Sequence, residues 1–414
     1  MKRNNKYDAF TVLNSIMNVR DKIPRRVAVV GAGAVSPLGF GLGETLQALQ
    51  AARDCVSPVT AFSVEKTRCK TAAQIDDSRL LTKVNRGRRD YRLHRASYMV
   101  MMALDELLSQ SGPFQAEIAI VGTTSGGMSF GENFYRTLSN GVCAASWIAN
   151  YPPQKQIIDA LEKFAIDAPA QVIANACASG TNAIGHAFTA IRAGRYQRVL
   201  SGGYDALSEL VFVGFDCLQA STPEKCRPFD ANRSGMVLGE GAALFALEDF
   251  DSAESRGANI LGEIVGYGIS TDNHHLTQPN PDGSGPRSAM EQALATAGLR
   301  PTDIGYVNAH GTATIFNDAA EGKAIMEMFG DVPISSTKSM MGHSLGAAGA
   351  IEAVVSLLAL RHQFLPPNIN FRGTDPELKL NVVANKTREA KFDYALSNSF
   401  GFGGTNATIV VRKT

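Results

Sequence analysis

One series of strands and helices occurs twice in this chain, and this repeat limits the possible fold more than any other feature. The first series is strand RVAVVGAGAVS, helix RASYMVMMALDELLSQSG, strand AEIAIVGTTSGG, an apolar run into a helix VIANACASGTNAIGHAFTAIRAG, and strand GAALFALED. The second is strand ILGEIVGYGIS, helix RSAMEQALATAG, strand IGYVNAHGTAT, a run into a helix ISSTKSMMGHSLGAAGAIEAVVSLLAL, and strand NATIVVRKT. Alternating strands and helices are typical of α/β proteins. The sequence therefore predicts two similar α/β halves, 25–254 and 255–414, preceded by an extension over 1–24.

Two helices of the repeat are rich in alanine and glycine and are apolar on nearly every side. One follows Cys177 in the first half, and the other follows His343 in the second. A helix that is apolar all round is normally buried. We therefore expect both helices to lie between the two packed halves.

The charge balance and the cysteine pattern exclude several classes of function. Lys plus Arg total 40 against 39 for Asp plus Glu, a formal charge of +1, which favours neither nucleic acid nor an anionic membrane as the main partner. The scattered cysteines lack CxxC spacing, which argues against a zinc site and a disulfide framework. The N-terminal segment has no apolar signal core, and no long uninterrupted apolar stretch follows it. We expect a cytoplasmic protein with no membrane span, metal or other cofactor.

The first strand, predicted over Arg26–Val30, is followed by GAGAVSPLG, which invites comparison with the GxGxxG turn of dinucleotide-binding proteins. Ser36 stands where the third glycine should be, and Pro37 follows where the helix should be running. A dinucleotide site is therefore not expected. The segment is predicted to be a glycine-rich turn.

Cys177 is the candidate nucleophile because it lies where an apolar run changes into a helix beginning near SGTNAIG. Unpaired N–H groups and the dipole at a helix N-terminus stabilise a thiolate, which predicts a lowered thiol pKa. A turn from strand to helix also exposes a nucleophile. The alternative is a buried structural cysteine, which is the usual role of an isolated cysteine.

Two histidines support the catalytic interpretation. His310 directly follows a short strand in YVNAHGTAT, and His343 precedes a small-residue helix in SSTKSMMGHSLGAAGAIE. Both lie at junctions between a strand and a helix, in equivalent parts of the repeat. The remaining histidines are expected to be ordinary core or surface residues: His94, His186, His274, His275 and His362.

The segment SNSFGFGGTN, residues 397–406, is predicted to be a glycine-rich turn near the C-terminus. Its glycines allow backbone N–H groups to approach a ligand closely. A purely structural turn between two strands is the alternative.

Four motifs together, NACASGTNAIGHA, NAHGTAT, SSTKSMMGH and NSFGFGGTN, resemble the signature set of the β-ketoacyl-acyl carrier protein synthases, specifically the elongating condensing enzymes of types I and II. The resemblance runs from about Arg26 to Arg412 and includes RPFDANRSGMVLGEGAA. It implies a thiolase-like fold, an α/β/α/β/α sandwich of two duplicated halves. It also implies a dimer, either with itself or with a related ketosynthase-like subunit, and an acyl carrier protein bearing phosphopantetheine as partner.

The resemblance also implies residue roles. Cys177 would carry the acyl chain as a thioester, while His310 and His343 would assist decarboxylation of the malonyl thioester. The backbone N–H groups of Cys177 and Phe402 would hold the oxyanion, and Phe402 would also gate the acyl pocket. The other positions matched to the family are Lys338, supported by Glu321, Glu352 and Phe400, and the phosphopantetheine-binding pair Thr312 and Thr314.

Three neighbouring classes fit the sequence less well. A thiolase needs a second, C-terminal cysteine, but no cysteine follows Cys226; an initiating synthase uses Cys-His-Asn, whereas SMMGH supplies a second histidine. A chain-length factor, the non-catalytic partner of a heterodimeric synthase, typically lacks the nucleophile that Cys177 provides here. The segment ATIFNDAAE departs from the common STPxGDxxE pattern, which favours a specialised pathway such as aryl polyene synthesis.

An acidic carrier protein calls for a local basic patch beside the pocket, since the chain as a whole is nearly neutral. Two groups are candidates: Lys66, Arg68 and Lys70, or the run Arg86, Arg88, Arg89, Arg92 and Arg95. A solvated charged surface is the alternative for either group.

Overall fold

The computed structural model describes residues 24–82, 93–112 and 114–414. The predicted extension lies almost wholly outside these residues, as do Arg86, Arg88, Arg89 and Arg92. The strands are β1 Val27–Ser36, β2 Gly39–Phe40, β3 Val56–Pro58, β4 Thr71–Ala73, β5 Ile118–Gly122, β6 Ala170–Ile173, β7 Arg198–Asp205, β8 Gly241–Asp249, β9 Gly262–Thr271, β10 Tyr306–Asn308, β11 Pro333–Ser335, β12 Phe364–Leu365, β13 Asn381–Val382, β14 Arg388–Glu389, β15 Tyr394–Gly401 and β16 Thr405–Arg412.

The helices alternate with these strands. They are α1 Leu42–Gln50, α2 Asp77–Thr82, α3 Arg95–Ser111, α4 Met128–Ser139, α5 Ala145–Ala149, α6 Lys155–Lys163, α7 Ser179–Arg192, α8 Glu209–Cys217, α9 Phe250–Ser255, α10 Ser284–Ala297, α11 Ile315–Phe329, α12 Lys338–Met341 and α13 Ala348–His362. Two short 3₁₀ turns cover Pro301–Asp303 and Leu345–Ala347.

The strand order confirms the predicted duplication. The main sheet reads β6-β5-β7-β8-β1 through the first half and β9-β16-β15-β10-β11-β13 through the second. The two halves meet where β1 pairs with β9. Five strands of each half therefore correspond in pairs: β1 with β9, β5 with β10, β6 with β11, β7 with β15, and β8 with β16. The division at residues 254 and 255 stays a prediction.

The helices form the other layers of the predicted sandwich. On the outside, α3 packs on β1 and β8, and α10 packs on β9 and β16. In the middle, α7 and α13 pack on each other and on strands of the sheet. Every residue of α13 from Ala348 to Leu360 is buried, and so is every residue of α7 from Ser179 to Gly185. Both apolar helices are therefore buried as expected, α13 along almost its whole length and α7 along its first half.

The segment Leu345–His362 is, within the described parts of the chain, the one helix long and apolar enough to cross a membrane by composition. In the fold, 89% of it is buried inside the protein. Its apolar character is therefore explained by its place in the middle layer.

Two predictions of local structure were wrong. GAGAVS is not a turn but the second part of β1, where Gly33 lies so close to α3 that a β-carbon would stand 2.0 Å from the carbonyl oxygen of Ala103. The repeat also contains one strand more per half than predicted, because β7 was not predicted and most of β15 falls in the segment predicted as a turn, residues 397–406. Both strands are buried along most of their length.

Candidate active site

A strained turn between β6 and α7 presents Cys177. The preceding residue, Ala176, has φ +54°, a left-handed conformation that is costly for a residue with a β-carbon. Hydrogen bonds hold it there, since the Ala176 carbonyl accepts from the hydroxyls of Ser179 (2.6 Å) and Thr124 (3.0 Å). This is the geometry of a nucleophile elbow, as predicted.

The predicted lowering of the Cys177 pKa is wrong. The residue is only 6% exposed, and burial raises the pKa of its thiol to about 12, although the nearby Lys338 ammonium acts in the opposite direction. The helix dipole favours the thiolate, but removal of the charged form from water costs more here. The resting side chain is therefore a thiol, and its attack on a substrate requires a base.

The two predicted histidines meet in the same cavity. The ring centroids of His310 and His343 are 5.3 Å apart, with the planes at 83°, and both side chains are buried. Burial holds both pKa values well below the usual range of histidine, and the Lys338 charge lowers them further. Both rings are therefore neutral at pH 7, so each carries one N–H donor and one basic nitrogen.

Both histidines also retain free bonding capacity. Within the described residues, Nδ1 of His310 and both ring nitrogens of His343 are buried without a hydrogen-bond partner. Buried polar atoms are nearly always satisfied. Unpartnered imidazole nitrogens in a cavity are thus suited to bind a polar atom of a ligand.

Lys338 is fully buried and supports the His310 segment. Its Nζ donates to the His310 carbonyl oxygen at 2.6 Å and forms an ion pair with Glu352, which is also fully buried. Glu321 acts on the same segment from another direction, because its two oxygens accept from the backbone N–H groups of His310 and Gly311, each at 2.8 Å. Burial raises the pKa of both carboxyls to about 7. Lys338 and Glu321, which were both predicted to support the histidines, therefore hold the backbone of the same loop through two separate sets of hydrogen bonds.

The turn containing Phe402 closes a hairpin between β15 and β16. Gly403 and Gly404 have φ of +83° and +77°, the left-handed region that favours glycine. Gly401 lies against the elbow, since a β-carbon there would stand 3.2 Å from the backbone nitrogen of Cys177. Residues 397–406 therefore combine the two roles given above as alternatives: the segment forms a structural turn between two strands, and it also faces the cavity.

Aromatic residues border this hairpin. Phe402 stacks on Phe215 with centroids 5.4 Å apart, and Phe400 lies 5.6 Å from the His310 ring. Phe215 was not predicted, because nothing in the local pattern of α8 shows that its ring reaches a hairpin almost two hundred residues away.

A cavity of about 180 Å³ joins the predicted site residues. It is lined by Cys177, His310, Thr312, Thr314, His343, Phe400 and Phe402, among others. The hydroxyls of Thr312 and Thr314 lie 2.9 Å apart. Lys338, Glu321 and Glu352 stand behind the lining rather than in it.

Asp205, at the end of β7, was not predicted and joins the two halves beside the site. It is fully buried, and its oxygens accept from Thr123, Thr124 and Ser125 and from the backbone N–H of Gly346 at 2.7 Å. Gly346 lies two residues before α13, as Cys177 lies two residues before α7. In the duplicated fold, Gly346 is therefore the residue of the second half that corresponds to Cys177. His343 lies three residues before this position.

The remaining histidines behave as predicted. His94 is buried and caps α3 by accepting from Ala96 N–H, while His186, His274, His275 and His362 are exposed. None of these five lines the cavity described above.

The basic side chains of the predicted patches differ in the hydrogen bonds and ion pairs that they form within the protein. Lys66 is exposed, and Lys70 bonds to backbone carbonyls of Val64 and Glu65. Arg68 is held by Asp216 and by the carbonyl of Ser221. The prediction that Arg95 belongs to a surface patch is wrong, because its guanidinium donates two hydrogen bonds to the buried carboxylate of Glu240.

Comparison with known proteins agrees with this geometry. The family model described as β-ketoacyl synthase, N-terminal domain, matches residues 24–253, and that for the C-terminal domain matches residues 261–372. The 3-oxoacyl-[acyl-carrier-protein] synthase 2 of Synechocystis sp. is 36% identical over 412 residues, covering 94% of this chain and 98% of the relative.

Two solved structures are similar over the same range. The ishigamide ketosynthase/chain length factor gives a TM-score of 0.89 at 33% identity, covering 94% of this chain and 100% of the other. A type II polyketide acyl-carrier protein in complex with its ketosynthase gives 0.85 at 27% identity, with the same coverage. The duplicated sandwich with a cysteine elbow facing two histidines thus defines a condensing acyltransferase of thiolase-like fold. The chain belongs to the β-ketoacyl synthase family.

Proposed function

We propose that this protein extends acyl chains by decarboxylative condensation of an acyl group, held on Cys177, with a malonyl unit delivered by an acyl carrier protein. The observation that supports it best is the convergence of the Cys177 elbow with two neutral, unpartnered imidazoles in one cavity. A thiol that is protonated at rest needs a nearby base, and a neutral imidazole can accept its proton.

The first step of the proposal transfers the acyl group. Cys177 Sγ attacks the carrier thioester and its proton moves to a neutral imidazole, after which the carrier thiol leaves with a proton. The developing oxyanion is held by the backbone N–H groups of Cys177 and Phe402, which the tight approach of Gly401 to the elbow brings together.

The second step makes the carbon nucleophile. The carbon–carbon bond of the malonyl thioester breaks, CO₂ leaves, and the electron pair forms an enolate. N–H groups of His310 and His343 donate to the enolate oxygen, so they stabilise the charge that dominates this barrier. The enolate carbon then attacks the acyl–Cys177 carbonyl, and the Cys177 thiolate leaves and takes up one proton from solvent, so that each condensation consumes one proton.

Residues behind the cavity lining would hold the two histidines in position. Lys338 and Glu321 hold the backbone of the His310 loop from two sides. Asp205 holds the Gly346 segment that follows His343. Thr312 and Thr314 would bind the amide-rich phosphopantetheine arm as it enters.

We also propose that the protein forms a dimer with a second, related subunit. The described surface around α4, α5 and α8 exposes Tyr135, Leu138, Val142, Ile148, Tyr151 and Leu210. Among the described residues, strand β6 ends the main sheet, and both an unpaired sheet edge and exposed apolar surface favour association. Two copies of this chain, or this chain and a chain-length factor, would fit. We place the protein in the cytoplasm, where its six free thiols stay reduced.

The function is tested by supplying both substrates. The purified protein, an acyl-loaded carrier and a malonyl-loaded carrier should yield a 3-oxoacyl carrier and one CO₂ for each condensation. Mass spectrometry of the carrier and trapping of CO₂ measure both products. If CO₂ is released without any extended product in the presence of the acyl donor, the chain is a decarboxylase or a partner subunit and the proposal is wrong.

A further inference from the structure

Two strained residues occupy equivalent places in the two halves of the fold. Ala176, directly before Cys177, has φ +54°. Leu345, directly before Gly346, has φ +52°. We call Ala176 with Cys177 the nucleophile turn, and Leu345 with Gly346 the matching turn. The matching turn begins two residues after His343, so the two turns carry or directly follow residues of the site.

Such turns need contacts that hold them. A left-handed conformation is costly for a residue with a β-carbon, and it persists only where the surrounding structure fixes it. The contacts that fix the two turns therefore show what holds the thiol and the histidine segment in place.

The matching turn is held by a carboxylate oxygen that it shares with the first half of the chain. Oδ2 of Asp205 accepts from the backbone N–H of Gly346 at 2.7 Å and from the backbone N–H of Thr124 at 2.8 Å. The two backbones also touch, since a β-carbon on Gly346 would stand 2.5 Å from the Thr124 nitrogen. One oxygen atom thus joins the matching turn to the loop that follows β5.

The same loop holds the nucleophile turn. The Thr124 hydroxyl donates to the carbonyl of the strained Ala176 at 3.0 Å. The other oxygen of Asp205 fixes the loop, because it accepts from the hydroxyls of Thr123 and Ser125, each at 2.7 Å, and from the Ser125 N–H at 2.9 Å. A continuous path of hydrogen bonds therefore connects the two turns through Thr124 and Asp205.

Asp205 pays a role of its own in this path without touching the cavity. It is fully buried, and it is not among the described residues that line the cavity. Burial of a charged group costs free energy unless hydrogen bonds replace the lost water. Its five accepted hydrogen bonds serve this purpose, and they come from both halves of the fold.

Resting on the proposed function, we propose that Asp205 is a positioning residue that couples the two half-reactions, because it fixes the nucleophile turn relative to the turn that follows His343. Decarboxylation produces a carbon nucleophile at the two histidines, and acyl transfer produces a thioester at Cys177. Only the joining step requires these two carbon atoms to meet. A misplacement of about 1 Å can cost about a hundredfold in rate, so loss of Asp205 should impair the joining step most.

The test counts CO₂ released for each extended product, with acyl-loaded and malonyl-loaded carriers both present. Asp205→Asn keeps the size of the side chain but presents an N–H group where one oxygen accepted. Thr124→Val is the second variant; it removes only the hydrogen bond to Ala176 from an exposed residue, and it leaves the carboxylate in place. Circular dichroism verifies that each variant is folded.

Asp159→Asn is the matched control. Asp159 is also a buried aspartate, it pairs with Lys155, and it is not among the described residues that line the cavity. The substitution therefore removes a buried carboxylate without touching either turn.

The unchanged protein and the control should release one CO₂ for each product. We expect the ratio to rise about tenfold in Asp205→Asn and about threefold in Thr124→Val. The KM for the malonyl carrier should stay within about twofold while kcat for condensation falls. Mass spectrometry should show complete acylation of Cys177 in both variants.

A general loosening of the fold would slow CO₂ release and condensation together and leave the ratio at one. A ratio of one in both variants, an equal rise in the control, or incomplete acylation of Cys177 would overturn the coupling role. If the unchanged protein forms no extended product, the proposed function is refuted and this inference falls with it.

Discussion

Replacing Cys177 with alanine should reduce condensation by at least about a thousandfold while decarboxylation of the malonyl carrier continues. The substitution removes the sulfur proposed to form the acyl thioester, but it leaves His310 and His343 in the cavity. CO₂ trapping measures decarboxylation, and mass spectrometry of the carrier measures condensation.

Cys226→Ala is the matched control for this variant. Cys226 is 1% exposed, and burial raises the pKa of its thiol to about 12, as for Cys177, yet it does not line the cavity. The Cys226→Ala variant should therefore catalyse condensation at the rate of the unchanged protein. Retention of condensation by Cys177→Ala would exclude this residue as the nucleophile.

Replacing either histidine of the cavity, His310 or His343, with alanine should have the complementary effect. In His310→Ala and His343→Ala, decarboxylation should fall by about a hundredfold or more, because one donor to the enolate oxygen is lost. Transfer of the acyl group to Cys177 should continue in at least one of the two variants, since either imidazole can accept the thiol proton. Stopped assays of CO₂ release and of enzyme acylation separate the two half-reactions.

His362→Ala is the control, because His362 is an exposed residue at the end of α13. Near-normal CO₂ release in both cavity variants would refute the role given to the histidine pair.

The features that could be predicted from sequence were those with a local pattern. The repeat was visible because its outer elements have clear periodicity, and Cys177, His310 and His343 lie at junctions that a linear pattern reveals. Strands β7 and β15 were missed because SGGYD and SNSFG are rich in glycine and serine. Such residues predict turns, yet here glycine permits close packing: a β-carbon on Gly203 would stand 2.7 Å from the carbonyl oxygen of Gly346.

The features that could not be predicted depend on long-range contacts. The Cys177 pKa is set by burial under elements from both halves, which outweighs the local helix terminus. Asp205 and Phe215 carry no motif and act on residues 141 and 187 positions away, respectively. The tertiary fold alone brings these groups to the site.

The most direct test of the account is the mass of the protein after incubation with an acyl-loaded carrier and no malonyl carrier. We expect one acyl group for each chain, located by fragmentation on the peptide that contains Cys177, and removed when the malonyl carrier is added together with release of the extended product. An acyl group on a different residue, or condensation at the full rate with Cys177 never acylated, would contradict the account.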